Sequence, residues 1–224
     1  MAIVRGMLFD LDDTLTDRGR SIELFVPAFA EHFGGELEGV GKEEILQSIL
    51  GGDGGGYATR EALAEHLRQI LRWKKVPSVG EITTFWRGRF PGCAVAREGT
   101  VRTLRAIRDR GILLGVVSNG LVLSQYTKLE VMGIRPLLAA VVISEEVGIK
   151  KPDRRIFDVA LERLGVSAAE AVFMGDNPLL DVAGAAAVGM RAIWLNCRKQ
   201  ERPAGMPACV EIADITEVMR HLGD

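Results

Sequence analysis

The sequence predicts an α/β protein: a doubly wound parallel sheet with a smaller all-helical domain inserted after the first strand. Three observations predict it. From about residue 98 onward, short apolar, β-branched runs alternate with amphipathic stretches, the pattern of a parallel sheet covered on both faces. Between about residues 17 and 95 the chain instead reads as helix after helix, with no convincing strand. Polar residues able to do chemistry follow the strands, where an open parallel sheet places its ligand crevice.

The first strand is "AIVRGMLF", residues 2–9. The insert follows with "IELFVPAFAEHF", "KEEILQSIL", "REALAEHLRQILRW" and "VGEITTFWRGRF", each carrying apolar residues at three-to-four spacing. Phe25, Phe29 and Phe33 share that spacing and are expected in the insert's own core. "GGDGGG" separates two of these helices; no GK[ST] follows it, so it is expected to be a mobile loop and not a phosphate loop, with Tyr57 and Arg60 beside it as candidate substrate selectors.

The alternation then runs helix "TVRTLRAIRDRG", strand "ILLGVVS", helix "LVLSQYTKLEVMG", strand "AAVVIS", helix "DRRIFDVALERLG" and strand "AVFMG". Helix "PLLDVAGAAAVG", strand "RAIWLN" and a closing helix "DITEVMRHL" complete it. The expected domains are residues 1–16 with 96–224 for the α/β core, and 17–95 for the insert.

A chain of 224 residues with 47% hydrophobic content can bury a substantial core. With 28 basic and 30 acidic residues, the net charge of −2 offers no excess for gripping nucleic acid. Cys93, Cys197 and Cys209 lack a CxxC spacing, so zinc or a redox pair is not expected. No apolar run approaches the roughly 20 residues needed to span a bilayer, and the N-terminus enters a strand at once without room for a signal peptide. The expectation is a soluble cytoplasmic protein acting on a small ligand, with no nucleic-acid or membrane partner. Its oligomeric state is not legible.

The strand-end residues are Asp10, Asp12 and Thr14 after the first strand and Ser118 and Asn119 after the second. Lys150 and Lys151 lie beyond the third, and Asp176 and Asp181 after the fourth. Asp10 and Asp12 are two apart, so in an extended segment they point the same way and form a pair. With Asp176 brought alongside by the sheet, the carboxylates need a cation, and an all-oxygen site suits Mg²⁺, which also takes substrate phosphate oxygens. Pro152 holds Lys151 extended, its ammonium can neutralise a carboxylate and an anionic substrate, and Ser118 adds a hydroxyl donor. Lys150, next to it, is expected on the surface.

These residues carry a resemblance to the haloacid dehalogenase (HAD) superfamily hydrolases of the phosphatase type. The pattern DxDxT is matched by Asp10, Asp12 and Thr14; the strand-ending Ser or Thr by Ser118 in "VVSNG"; the Lys before Pro by Lys151; and GDxxxxD by Gly175, Asp176 and Asp181. Four motifs in order, each after a strand, are highly specific. The helical insert sits where that superfamily's C1 cap belongs, on its Rossmann-like core.

The resemblance implies that Asp10 attacks phosphorus to give an aspartyl phosphate, while Asp12 protonates the leaving oxygen and then activates water. It implies Mg²⁺ held by the Asp10 carboxylate, the Asp12 backbone carbonyl and Asp176. Ser118, the backbone at Asn119 and Lys151 bind the phosphoryl oxygens, Asp181 orients Lys151 or a metal-bound water, and Thr14 braces the loop; Asp13 does no chemistry. A closing cap implies a small phosphorylated metabolite as substrate. Dehalogenases and phosphonatases of the superfamily lack an Asp at the position of Asp12. A phosphomutase of the β-phosphoglucomutase type keeps it and stays open as an alternative. A signalling receiver domain would be shorter, without an insert, and would place its Lys after all the aspartates; a catalytically idle phosphate-binding member would not need all the reacting groups present here.

Overall fold

A computed structural model of the chain describes residues 3–223. The predicted start of the first strand at Ala2, and the chain ends Met1 and Asp224, lie outside the described residues. Six strands form one sheet in the order β3-β2-β1-β4-β5-β6, every neighbouring pair parallel. They are β1 (Gly6–Phe9), β2 (Leu113–Ser118), β3 (Ala140–Ile143), β4 (Ala171–Gly175), β5 (Arg191–Leu195) and β6 (Val210–Ile212). The α-helices are α1 (Arg18–Phe33), α2 (Lys42–Gly52), α3 (Arg60–Ile70) and α4 (Val79–Arg89), then α5 (Thr100–Asp109), α6 (Val122–Val131), α7 (Ser144–Val147), α8 (Arg154–Leu164) and α9 (Gly184–Ala187). This is a doubly wound α/β core with helical insertions.

β1 lies between β2 and β4, so the strand order reverses there. That reversal opens a crevice at the carboxyl ends of β1 and β4. Successive residues Met7, Leu8 and Phe9 are all fully buried, as a strand covered on both faces requires. On one face Leu8, Val117, Phe173 and Trp194 pack with Ile156 and Phe157 of α8. Burying a side chain of Phe157's size stabilises the fold by roughly 1.5–3 kcal/mol.

Several elements depart from the sequence expectation, among them the first strand, which begins only at Gly6, and α7, a short helix with no predicted counterpart. β6 is only three residues long, too short to show a period, and exists because Ile193 to Leu195 offer it a ladder. The helix predicted over 178–189 is a wider π-helical turn, Pro178–Ala183, followed by α9. The turn widens where the Asp181 carboxylate folds back to accept the Asn177 amide at 2.9 Å. The closing helix is a 3₁₀ helix, Ile215–His221, capped by Asp214.

The chain divides into two compact units, residues 1–16 with 96–224 and residues 17–95. The second has its own core, in which Phe25, Phe29 and Phe33 pack with Ile45, Leu67 and Trp86. Its ends meet: the Asp17 amide donates to the Val95 carbonyl at 2.8 Å.

The "GGDGGG" stretch, expected as a mobile loop, centres on a buried ion pair. Arg18 donates to both Asp53 oxygens, Nε to Oδ2 at 2.6 Å and Nη2 to Oδ1, and Arg60 adds a longer contact at 3.4 Å. The Arg18 guanidinium lies over the Phe90 ring and that of Arg60 over Trp86. Burial alone would raise the Asp53 pKa, but the Arg18 hydrogen bonds and charge, then Arg60, outweigh it and lower it. Asp53→Ala should strand Arg18 and destabilise the insert by about 3–5 kcal/mol in urea unfolding followed by circular dichroism. An unchanged midpoint would reject that assignment.

Among the described residues no helix is long and apolar enough to cross a membrane. The three cysteines are free.

Candidate active site

Asp10 leaves β1 with its amide donating to the Met174 carbonyl of β4 at 2.9 Å, which seats it at the crevice. The chain then turns tightly, the Leu15 and Thr16 amides both donating to the Leu11 carbonyl at 3.0 Å. Asp13 takes the left-handed conformation this turn needs, with φ 60°, and its carboxylate pairs with Arg198 at 2.7 Å. Arg97 secures the turn from outside, donating to the carbonyls of Asp13 at 2.6 Å and Thr14 at 3.2 Å. Neither arginine stands out in the sequence, because each acts from a loop with no motif of its own.

Lys151 brings the third strand-end region to the first. Its ammonium donates to Asp10 Oδ1 at 2.6 Å and to Asp181 Oδ1 at 2.7 Å, and the residue is 4% exposed. The Lys151–Pro152 peptide is cis. The Asn119 side chain clasps the Lys151 main chain from both sides, accepting its N–H at 2.9 Å and donating to its carbonyl at 3.1 Å. The Asn119 side chain is therefore a brace for Lys151. Lys150 is exposed.

Asp176 is held through its backbone. Its amide donates to Thr14 Oγ1 at 3.1 Å, tying the β4 loop to the β1 loop, and its carbonyl accepts Trp194 Nε1 at 2.9 Å. Asp181 reaches back beneath it because Gly175 lacks a side chain: a Cβ there would lie 2.3 Å from the Asp181 carboxyl carbon. Carboxylate oxygens of Asp10, Asp176 and Asp181 come within 4.8 Å of one another.

Two of these buried carboxylates, Asp10 and Asp181, share the Lys151 ammonium. Burial pushes the Asp10 pKa well above the usual carboxylate range; Lys151 pulls it down, while the charges of Asp181 and Asp176 push it further up. Burial would also strip the proton from Lys151, but Asp10 and Asp181 outweigh it and raise the lysine's pKa. Burial thus raises the acid and opposes the lysine's charge, while the neighbouring carboxylates raise both. A cluster of hard oxygen donors with surplus negative charge fits a small divalent cation.

Asp12 engages a different element. Its two oxygens accept Lys128 Nζ at 2.6 and 2.8 Å, and Oδ2 also accepts Gln125 Nε2 at 2.9 Å. The same Gln125 nitrogen lies 2.6 Å from Ser118 Oγ, at the end of β2. Thus Asp10 and Asp12, expected to point together as a pair, have different partners. The structure gathers Asp10, Lys151, Asp176 and Asp181 in one cluster, and Asp12 with Ser118 in a second joined to α6. Gln125 and Lys128 were not singled out in the sequence. Their signal is a polar pair at helical spacing on a buried face of "LVLSQYTKLEVMG", which by itself looks like an ordinary amphipathic helix. Of the candidate selectors, Arg60 is engaged with Asp53 and Trp86, and Tyr57 is exposed.

Comparison with known proteins bears on the family and the fold. Residues 4–189 match the family described as haloacid dehalogenase-like hydrolase. The chain is 44% identical over 210 residues to a glyceraldehyde 3-phosphate phosphatase of Methanopyrus kandleri, covering 89% of this chain and 87% of that protein. It is 30% identical over 215 residues to the glyceraldehyde 3-phosphate phosphatase of Methanothermobacter thermautotrophicus, covering 89% of this chain and 88% of that one. The magnesium-bound HAD-hydrolase YfnB of Bacillus subtilis shares the fold, with a TM-score of 0.81 at 20% identity over 99% of this chain and 100% of that one. The chain belongs to the haloacid dehalogenase-like hydrolases, a family of enzymes.

Proposed function

We propose that this enzyme is a Mg²⁺-dependent phosphatase that hydrolyses a small phosphate monoester through an aspartyl phosphate on Asp10. The observation that carries the reading is the buried Asp10 carboxylate, fixed by Lys151 beside two further acids, with a separately held carboxylate at Asp12. Asp10 attacks phosphorus, and the P–O bond to the leaving group breaks as Asp12, ionised beside Lys128 in the free enzyme and protonated from solvent when the ester binds, gives that oxygen its proton. Asp12, now ionised, takes a proton from water, whose oxygen attacks phosphorus and releases inorganic phosphate and the free Asp10 carboxylate. Lys151 and the Ser118 hydroxyl stabilise charge on the non-bridging oxygens, as does the main chain at Asn119.

The cation would be held by the carboxylates of Asp10 and Asp176 and the main-chain carbonyl of Asp12. When bound, it neutralises the excess negative charge and polarises a phosphoryl oxygen. Asp181 stays with Lys151 and the Asn177 amide, which occupy both of its oxygens. Thr14 braces the two loops against each other. The insert, residues 17–95, is read as the cap domain, and the enzyme as cytoplasmic, where free thiols persist.

For substrate, the 44% identity to a glyceraldehyde 3-phosphate phosphatase favours a small phosphorylated aldehyde or polyol. The test is phosphate release from a panel of small esters led by glyceraldehyde 3-phosphate, with Mg²⁺ and after chelation. Release should fall by about 100-fold or more on chelation and return with added Mg²⁺. No release from any ester by the Mg²⁺-loaded protein would overturn the reading, and release only with an added sugar bisphosphate would favour a mutase.

A further inference from the structure

Helix α6 contributes two buried polar side chains that the proposed reaction does not itself use. Gln125 is 1% and Lys128 6% exposed, and they lie one turn apart on the helix. Both point their polar ends at the same carboxylate, Asp12. An ammonium so buried needs a partner, and Asp12 supplies two oxygens to it.

The hydrogen-bond logic at Gln125 extends the contact to Ser118. An ionised carboxylate only accepts, so the end of Gln125 facing Asp12 must be its NH₂. That same nitrogen lies 2.6 Å from Ser118 Oγ and donates its second hydrogen there. Ser118 Oγ is thereby an acceptor on this side, and its own hydrogen is left to donate elsewhere. A hydroxyl committed in this way is oriented as a donor to a phosphoryl oxygen. Gly120 permits the arrangement: a Cβ there would lie 2.9 Å from Gln125 Cδ and 3.0 Å from Nε2.

We propose that Gln125 and Lys128 are positioning residues that hold the Asp12 carboxylate and the Ser118 hydroxyl in fixed relation, so that proton transfer and phosphoryl binding are set by one helix. This rests on the reading of Asp12 as the proton carrier. Lys128 acts on Asp12 alone. Gln125 acts on both Asp12 and Ser118, so the two side chains have separable kinetic signatures.

The test compares p-nitrophenyl phosphate, whose leaving group departs without a proton, with an alkyl monoester, whose leaving group needs one. In Lys128→Met, p-nitrophenyl phosphate should give a pre-steady-state burst of nitrophenol at about the wild-type rate. Turnover should then be slower by roughly tenfold or more, because water attack still needs Asp12. With p-nitrophenyl phosphate kcat and KM should therefore fall together and kcat/KM should hold, whereas with the alkyl ester the first step itself should slow and kcat/KM should fall. Gln125→Leu should show the same burst and also lower kcat/KM for both esters, because Ser118 binding is weakened too. Gly120→Ala, which displaces Gln125 without altering Asp12 or Lys128, should reproduce Gln125→Leu, and Lys128→Arg should recover part of the lost turnover.

In an Asp12→Asn background, Lys128→Met should cost nothing further. Equal slowing of the first step for both esters, no slowing at all, or a full additional loss in the Asp12→Asn background would each overturn the proposal. If Asp12→Asn itself treats the two esters alike, the proton-carrier reading fails and the proposal fails with it. If Asp12→Asn discriminates between them and the α6 variants do not, only the positioning proposal fails. Thermal melts of each variant, with Lys128→Arg and Gly120→Ala as the mildest changes, separate these outcomes from loss of fold.

Discussion

Asp10→Asn is expected to lower phosphate release from every ester by on the order of 10⁴- to 10⁶-fold, the range seen when a covalent hydrolase loses its nucleophile. The amide retains the shape of the carboxylate and can still meet Lys151, but its oxygen is a poor nucleophile. Stability should not fall with activity. The Asp10 pKa is raised in the folded state, so its ionised form opposes folding, and the opposition grows as pH rises from the unfolded carboxylate value, about 3.9, through the folded one. Removing that ionisation should leave the metal-free protein at neutral pH at least as stable as the wild type. The measurements are phosphate release, trapping of a phosphorylated enzyme, and urea unfolding without metal. Wild-type turnover by the variant would exclude Asp10 as the nucleophile.

Lys151→Met should have the second largest effect, and it should reach both catalysis and stability. Losing one fixed donor to the transferring group costs about 10²- to 10³-fold in kcat. Losing the ammonium also leaves Asp10 and Asp181 buried together without a counter-charge, a change worth about 3–5 kcal/mol at neutral pH. The sign of the pH dependence follows from the acids. Without Lys151, the folded Asp10 pKa rises further above the unfolded one, so the penalty is absent at low pH and grows as pH rises. The lysine's own pKa is raised, so its stabilisation in the wild type is fully present below the unfolded lysine value of about 10.4. Urea unfolding of metal-free wild type and variant should therefore diverge more at pH 8 than at pH 5. A difference independent of pH would mean that the pair does not carry the charge balance assigned to it.

Much of the site was legible because its residues sit at strand ends, and a parallel sheet brings all its carboxyl ends to one edge. Asp10, Ser118, Lys151 and Asp176 could be found from that rule and their order alone. What the sequence hid were side chains acting on other side chains. Gln125 and Lys128 lie within an ordinary amphipathic helix, and nothing in their spacing says which strand end they face. Arg198 and Arg97 come from loops, where no period marks direction. Asn119 was assigned to substrate through its backbone, whereas its side chain braces Lys151. In the fold, long elements with many apolar repeats were readable, and β6 was not, since its three residues become a strand only by pairing with β5. The "GGDGGG" stretch read as loose because glycine dominates it, yet the one charged residue within it is buried and paired.

The meeting of the insert's two ends has a consequence for how the chain reaches its fold. Pairing β1 with β2 must bring together residues separated by the whole of 17–95, and closing so long a flexible segment is slow and entropically costly. Once the insert has collapsed around its own aromatic core, Asp17 and Val95 are joined by a hydrogen bond, and the chain outside them is as near as across a tight turn. A long-range search thereby becomes a local one. With the insert closed on itself, what still separates β1 from its parallel partner β2 is the ordinary crossover through α5.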